Sequence, residues 1–140
     1  MDKTHWEHYP HPADMGIRGF GPTKEKAFEQ AGLAMIAVIT DLKSIEQKKQ
    51  VKISCEEDSD EMLLVSWLNT IIYEMAARKM LFGRFDVTIS GNKLYAKMAG
   101  EKIDPRKHNP AVEVKAATFM DLLVKQTENG SWITQCVIDV

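Results

Sequence analysis

Three histidines and one carboxylate stand close together near the start of the chain. They are His5, His8, His11 and Asp14, in the stretch His8-Tyr9-Pro10-His11-Pro12-Ala13-Asp14-Met15-Gly16-Ile17. Imidazoles in such numbers are the usual ligands of zinc or nickel. Their spacing by three would gather them on a helix, but Pro10 and Pro12 exclude one, since each lacks an N–H and restricts the residue before it. On an extended strand, residues three apart point to opposite faces. The histidines are therefore expected in packing and hydrogen-bonding roles, with His11 helping to fix the turn that presents Asp14.

Oxygen donors recur at the other end of the sequence, where a hydrophobic run stops at Ile138-Asp139-Val140. Asp139 and the carboxylate of Val140 offer acidic oxygens within one residue of each other. If this run pairs with the strand that starts at Asp14, three carboxylates converge. They would repel one another without a cation, and calcium, magnesium or manganese favour oxygen ligands. The ordinary reading of a terminal Asp-Val is a solvated chain end.

Two further groups carry charge at suggestive spacing. Gly100-Glu101-Lys102-Ile103-Asp104-Pro105-Arg106-Lys107-His108 could meet a phosphate or an acidic partner, or simply be a solvated loop. Glu113 and Lys115, two apart in an alternating run, would share a sheet face as an ion pair of little energetic weight if exposed. No Gly-x-Ser-x-Gly elbow, glycine-rich phosphate loop or Cys-x-x-Cys pair is present. The residues describe a small binding domain with a candidate metal site.

The elements that must position these groups follow from periodicity. Trp6–Tyr9 and Met15–Phe20 read as strands around the proline turn. Thr23 is an N-cap for a helix whose apolar face is Ala27, Phe28, Ala31, Ala34, Met35 and Val38. Leu33, Ile36 and Ile39 widen that face, and Gly32 permits close packing. Lys43 to Gln50 is a polar connection, and Val51–Cys55 alternates as a half-buried strand. Asp58 and Glu61 resemble a capping box for a second helix, with Leu64, Val65, Leu68, Ile71, Ile72 and Met75 as its buried stripe and Gly83 beyond its end. Phe85–Ile89 and Leu94–Met98 flank a hairpin loop at Ser90-Gly91-Asn92-Lys93. A long polar connection is expected from Gly100 to Pro110. Val112–Ala116, Leu122–Gln126 and Trp132–Ile138 complete the strands.

Early helices and late hairpin-linked strands indicate an α+β domain spanning residues 1–140. Its expected form is a single two-layer unit, with two amphipathic helices on one face of a mixed, mainly antiparallel sheet. The length of 140 residues suits one core, with 44% hydrophobic and 27% charged residues. Eighteen basic and twenty acidic residues give a formal charge of −2, which argues against a chain devoted to gripping nucleic acid, though not against a local basic patch. Cys55 and Cys136 match no zinc spacing and read as free thiols. The N-terminus has no apolar leader and no run approaches the ~20 residues that span a bilayer, so a cytoplasmic protein is expected.

With these segments placed, the sequence resembles the archease family. The resemblance rests on His8–Ile17 with its His-x-Ala-Asp-x-Gly core, on Gly100-Glu101-Lys102 with His108 and Glu113-Val114-Lys115-Ala116 following, and on Trp132–Val140 ending in Asp-aliphatic. These stretches keep the family's order and span nearly the entire chain. Pro12 and Met15 stand where threonine or serine and isoleucine or valine are usual, and Val140 where isoleucine is common; no carboxylate is lost.

The resemblance implies a non-catalytic activator of the GTP-dependent tRNA-splicing RNA ligase, which joins ends bearing a cyclic phosphate or 3′-phosphate to 5′-hydroxyl ends. It implies promotion of ligase guanylylation and multiple turnover, with GTP used by the ligase and not by this chain. It places a metal site on Asp14, Asp139 and Val140, with calcium as the associated ion and manganese used by the ligase. His11, Lys102, His108, Glu113 and Lys115 are the expected supporting or partner-contact residues. A chaperone-like role toward a tRNA methyltransferase is an alternative, and a metal-dependent phosphoester hydrolase a more distant one. Neither a membrane nor strong direct RNA binding is expected.

Overall fold

A computed structural model describes residues 4–140. Residues 1–3, on which part of the reading of the N-terminus falls, lie outside the described residues. In chain order the elements are β1 (His5–His11), β2 (Asp14–Gly21), α1 (Lys24–Ile39), a 3-10 turn (Leu42–Ser44), β3 (Lys49–Glu56), α2 (Asp60–Arg78), β4 (Met80–Ser90), β5 (Lys93–Lys102), α3 (Pro105–His108), β6 (Ala116–Ala117), β7 (Leu123–Gln126) and β8 (Trp132–Asp139).

The expected α+β class is what the structure has. Its strands divide between two sheets, one ordered β1-β2-β8-β6 with β7 also paired to β8, the other ordered β3-β5-β4. Each pairing among the described residues is antiparallel. The reason for two sheets lies in α1. Its apolar surface is too broad for one partner, and it packs against β1, β2 and β8 on one side and β4 on another. Gly32 makes this possible, because a Cβ there would lie 3.0 Å from the Phe85 ring of β4.

One core joins both sheets and both long helices, with Ile17, Phe28, Met35, Trp67, Leu68 and Phe82 wholly buried. Each such side chain contributes roughly 1.5–3 kcal/mol. Trp67 also donates its indole N–H to the Phe28 carbonyl at 2.9 Å, fixing α2 against α1. Buried Glu29 of α1 accepts the Val87 N–H of β4 at 2.8 Å. No helix among the described residues is long and apolar enough to cross a membrane.

Local signals placed most boundaries. Thr23 accepts the Lys26 N–H at 3.1 Å and starts α1. The cap of α2 is Ser59, not Asp58: the Ser59 hydroxyl accepts the Met62 N–H at 3.2 Å from an extended backbone. That helix ends at Lys79, in the left-handed region at φ 55°, and Gly83 lies inside β4, where the register shifts between Phe82 and Arg84. The β4–β5 loop is Gly91-Asn92, as expected, with Gly91 at φ 63°.

Two expectations fail in the second half. The polar connection from Gly100 to Pro110 begins as strand, since β5 runs on to Lys102, and continues as the single turn α3 behind an Asp104 cap. The alternation of Val112–Ala116 does not form a strand there; only Ala116 and Ala117 pair with β8. Val114 buries alone, while Glu113 and Lys115 stay exposed. No ion pair joins those two among the described residues.

Candidate functional site

The β1–β2 hairpin turns in two residues, Pro12 and Ala13, and closes on the pair His11 and Asp14. Ala13 sits at φ 65°, a conformation that favours glycine and that a type II turn demands at its second central position. Proline at the first position presets the turn. Asp14 is thus the first residue of β2, held by a stiff, locally strained corner.

β2 pairs with β8 in a register that sets Met15 opposite Ile138. Continued one step past that pair, the same register would set Asp14 opposite Asp139. Asp139 is opposite Ala116 on its other side. His11 with Asp14, and Asp139 with Ala116, are thus opposed pairs at the same end of the sheet, and directly opposed residues share a sheet face with Cβ atoms roughly 5 Å apart. Both aspartates are half-buried. Lys115 reaches this end through its main chain, its N–H donating to the Asp139 carbonyl at 2.8 Å.

The histidines separate as the strand geometry requires. His8 faces α1 and bonds through Nε2 to the Ala34 carbonyl at 2.7 Å. His5 stacks on Phe20 with ring centroids 4.3 Å apart. His11, beside Asp14, has a buried Nδ1 with no hydrogen-bond partner among the described residues. No three His, Cys, Asp or Glu side chains among the described residues come together as a metal site. The donors that could meet a cation at this end are carboxylate oxygens of Asp14 and Asp139, a type suited to a hard divalent ion.

Two residues along the same sheet face is a network that periodicity did not single out. Arg18 donates to Gln135 at 2.6 Å and to Glu7 at 2.9 Å, and its guanidinium lies 4.2 Å from the centre of the Tyr9 ring. Tyr9 donates its hydroxyl to Asp121 at 3.0 Å. Burial first, then the Asp121 carboxylate, pushes the phenol up to about 12. The ring crosses Gly16, where any Cβ would stand 2.2 Å from it. The register of the hairpin, once known, is the signal that would have found this group, since it pairs Glu7 with Arg18 and Tyr9 with Gly16.

The Gly100–His108 stretch builds a separate cluster around Glu101, where the sequence predicts a loop. Glu101 is only 7% exposed and His108 only 3%. His108 Nδ1 accepts the Asp104 N–H at 2.9 Å, so Nε2 carries the proton and donates to Glu101 at 2.9 Å. Glu101 also accepts the Glu46 N–H at 2.8 Å and pairs with Lys107 at 2.8 Å. The Glu46 N–H, Lys107 and His108, in that order, pull its carboxyl down to about 2. Lys102 points elsewhere and donates to the Arg78 carbonyl at 2.8 Å, satisfying the end of α2. No hydrogen bond or ion pair joins this cluster to Asp14 or Asp139 among the described residues. Of the expected supporting residues, Lys102 and His108 thus hold the fold together, and Glu113 stays exposed in an irregular segment.

The geometry can be set beside known proteins. The model of the Archease protein family (MTH1598/TM1083) matches residues 6–140. The archease of Pyrococcus furiosus is 42% identical over 139 residues, covering 96% of this chain and 98% of the relative. That of Sulfolobus acidocaldarius is 39% identical over 140 residues, covering 98% and 99%. The solution structure of Methanobacterium thermoautotrophicum protein 1598 superposes with a TM-score of 0.84 at 28% identity, covering 96% of this chain and 98% of that one. An archease of Thermotoga maritima, described as a possible chaperone, shares the fold at a TM-score of 0.64 and 18% identity, covering 96% of each chain. From the strained turn at Ala13 to the last strand, this chain belongs to the archease family.

Proposed function

We propose that the chain is a non-catalytic activator of the GTP-dependent tRNA-splicing RNA ligase, acting through the acidic end of its larger sheet in the cytoplasm. The observation that carries this reading is the β2–β8 register, whose continuation one step past the Met15–Ile138 pair would bring Asp14 beside Asp139. Two carboxylates side by side repel one another, and a divalent cation relieves the repulsion. Calcium is the first candidate, with magnesium or manganese as alternatives, held by Asp14, Asp139 and oxygens of Val140. Such an ion supplies a hard Lewis acid that fixes carboxylate geometry and leaves positions for ligands from a partner. GTP belongs to the ligase. What this chain adds is a rigid acidic edge that adjusts the ligase's metal and nucleotide surroundings during guanylylation.

The test is RNA ligation under multiple turnover, with limiting ligase, GTP and this protein. Asp14→Ala and Asp139→Ala should melt within a few degrees of the wild type and lose at least tenfold in stimulated turnover. Full stimulation by both variants would sink the reading. Phosphoester turnover by this protein alone would reassign the carboxylates to a hydrolase.

A second reading draws on the Thermotoga maritima relative described as a possible chaperone. It makes this chain a modulator of a tRNA methyltransferase. Co-purification with that enzyme, with a change in its oligomeric state, would favour it over ligase activation.

A further inference from the structure

The smaller sheet has an open face whose chemistry differs from that of the chain as a whole. Pairing of β3, β5 and β4 sets three rows on the side away from the core. Gln50, Ala99 and Arg84 form the first, Lys52, Lys97 and Asp86 the second, and Ser54, Tyr95 and Thr88 the third. A row further on, Lys93 stands between Glu56 and Ser90. Lys48 and Lys49, at the start of β3, wall a basin of about 470 Å³ together with Arg84, Asp86 and Lys97, over a floor at Ala99. A sequence with a formal charge of −2 thus concentrates cations on one small sheet.

These cations are available. Among the described residues, Arg84, Lys49, Lys52, Lys93 and Lys97 make no ion pair within 4 Å, and Lys48 has only a 3.6 Å contact with Glu101 while staying well exposed. An aromatic ring lies among them. Tyr95 is 47% exposed in the middle of the face, with Lys93 Nζ 5.2 Å from its ring centre. Thr88 and Ser54, its neighbours in the row, add hydroxyl donors.

We infer that this face of β3, β5 and β4 binds single-stranded RNA, with Tyr95 as a stacking platform and Arg84, Lys97, Lys52 and Lys48 contacting phosphates. Cations beside an exposed ring on a polar sheet are what sequence-tolerant single-strand binding needs, one group for the backbone and one for the bases. An acidic protein surface fits less well. Protein interfaces are built on apolar anchors and are poor in lysine at their centres, whereas this face offers one ring and one alanine among lysines, Arg84, Gln50, hydroxyls and the two carboxylates of Asp86 and Glu56. The inference does not depend on the ligase reading, because it concerns the isolated chain and a different sheet.

The test is fluorescence anisotropy of the full chain with a labelled, unstructured RNA of about 15 nucleotides. With about four phosphate contacts, affinity should fall about fifty-fold between 50 and 200 mM salt. The double variant Arg84→Glu with Lys97→Glu should weaken binding at least tenfold and flatten that salt dependence to about half its slope. Tyr95→Ala should weaken binding about tenfold, and Tyr95→Phe, which keeps the ring, should restore it. All three side chains are exposed, so unchanged melting temperatures will confirm that the variants fold. Asp14→Ala should bind as the wild type does. Binding indifferent to the charge reversals, or equal loss with Tyr95→Phe and Tyr95→Ala, would overturn the assignment. Polyglutamate competing as well as RNA would overturn it in favour of an acidic protein partner.

Discussion

His108 donates from Nε2 to the Glu101 carboxylate at 2.9 Å while its Nδ1 accepts the Asp104 N–H at the same distance. The imidazole is thereby held in one tautomer between the end of β5 and the first turn of α3. Glu101 in turn ties that corner to the Glu46 main chain. A carboxylate with so little exposure is stable here because several donors converge on it from parts of the chain that are distant in sequence.

The first prediction concerns acid stability. The folded state holds the Glu101 carboxyl at about 2, well below its ordinary value of 4.5. A depressed folded pKa means that the stabilisation is fully present above the unfolded value and is lost as pH falls toward the folded one. The window is therefore about pH 4.5 down to about 2. Melting temperatures of the wild type should fall through that window, and Glu101→Gln, already destabilised at pH 7, should fall less steeply. Parallel melting curves for the two proteins across the window would refute the assignment.

The second prediction compares two glycines that admit a neighbour at close range. A Cβ at Gly100 would stand 1.9 Å from the Leu81 carbonyl oxygen, and one at Gly16 would stand 2.2 Å from the Tyr9 ring. A backbone carbonyl in the β4–β5 ladder cannot step aside, whereas a ring can swing away at the expense of its Asp121 and Arg18 contacts. Gly16→Ala should destabilise by about 1–3 kcal/mol, and Gly100→Ala by more. Urea denaturation gives both values, and the reverse order would contradict the packing described for the two sheets.

How much of this was legible beforehand follows from the distance over which each feature is determined. The Thr23 cap, the apolar face of α1 and the Gly91-Asn92 loop are set by residues a few positions apart, and the structure has all three as the sequence predicts. Asp14 and Asp139 could be named as candidates, but their pairing depends on β2 choosing β8 as its neighbour, which no local pattern specifies. Gly100, Glu101 and Lys102 are individually poor strand formers, so the sequence predicts a loop at Glu101. Its place inside β5 is set by Glu46, Lys107 and His108. The alternation of Val112–Ala116 misled for the opposite reason: Val114 alone buries itself, so a period-two pattern arises without a strand.

The third prediction concerns the thiols, both free. Burial pushes Cys136 up to about 12 and raises Cys55 as well. A thiol with a raised pKa carries little thiolate near neutral pH and reacts slowly. In the folded protein at pH 8, a disulfide reagent should modify half-buried Cys55 first and Cys136 only on the timescale of unfolding. Denaturant should make the two equally fast. Rapid native labelling of Cys136 would mean that β8 opens far more readily than its buried pairing with β2 allows.

The last prediction returns to the corner that presents Asp14. Ala13 holds a φ of 65°, where a Cβ crowds the following carbonyl by about 1–2 kcal/mol. Glycine there would relieve the strain, while its freer unfolded chain offsets about 0.5–1 kcal/mol of the gain. Ala13→Gly should therefore stabilise by about 0.5–1 kcal/mol, a rise of about 3 °C in melting temperature for a chain of this size. Ala13→Val, whose branched side chain tolerates the left-handed region least, should destabilise by more than that. Opposite signs at one exposed position have no explanation in burial or charge, since neither variant removes a contact or alters a titratable group. If both substitutions lowered the melting temperature, the turn would not be strained at Ala13. The rigid presentation of Asp14 would then have to come from its cross-strand neighbour His11 instead.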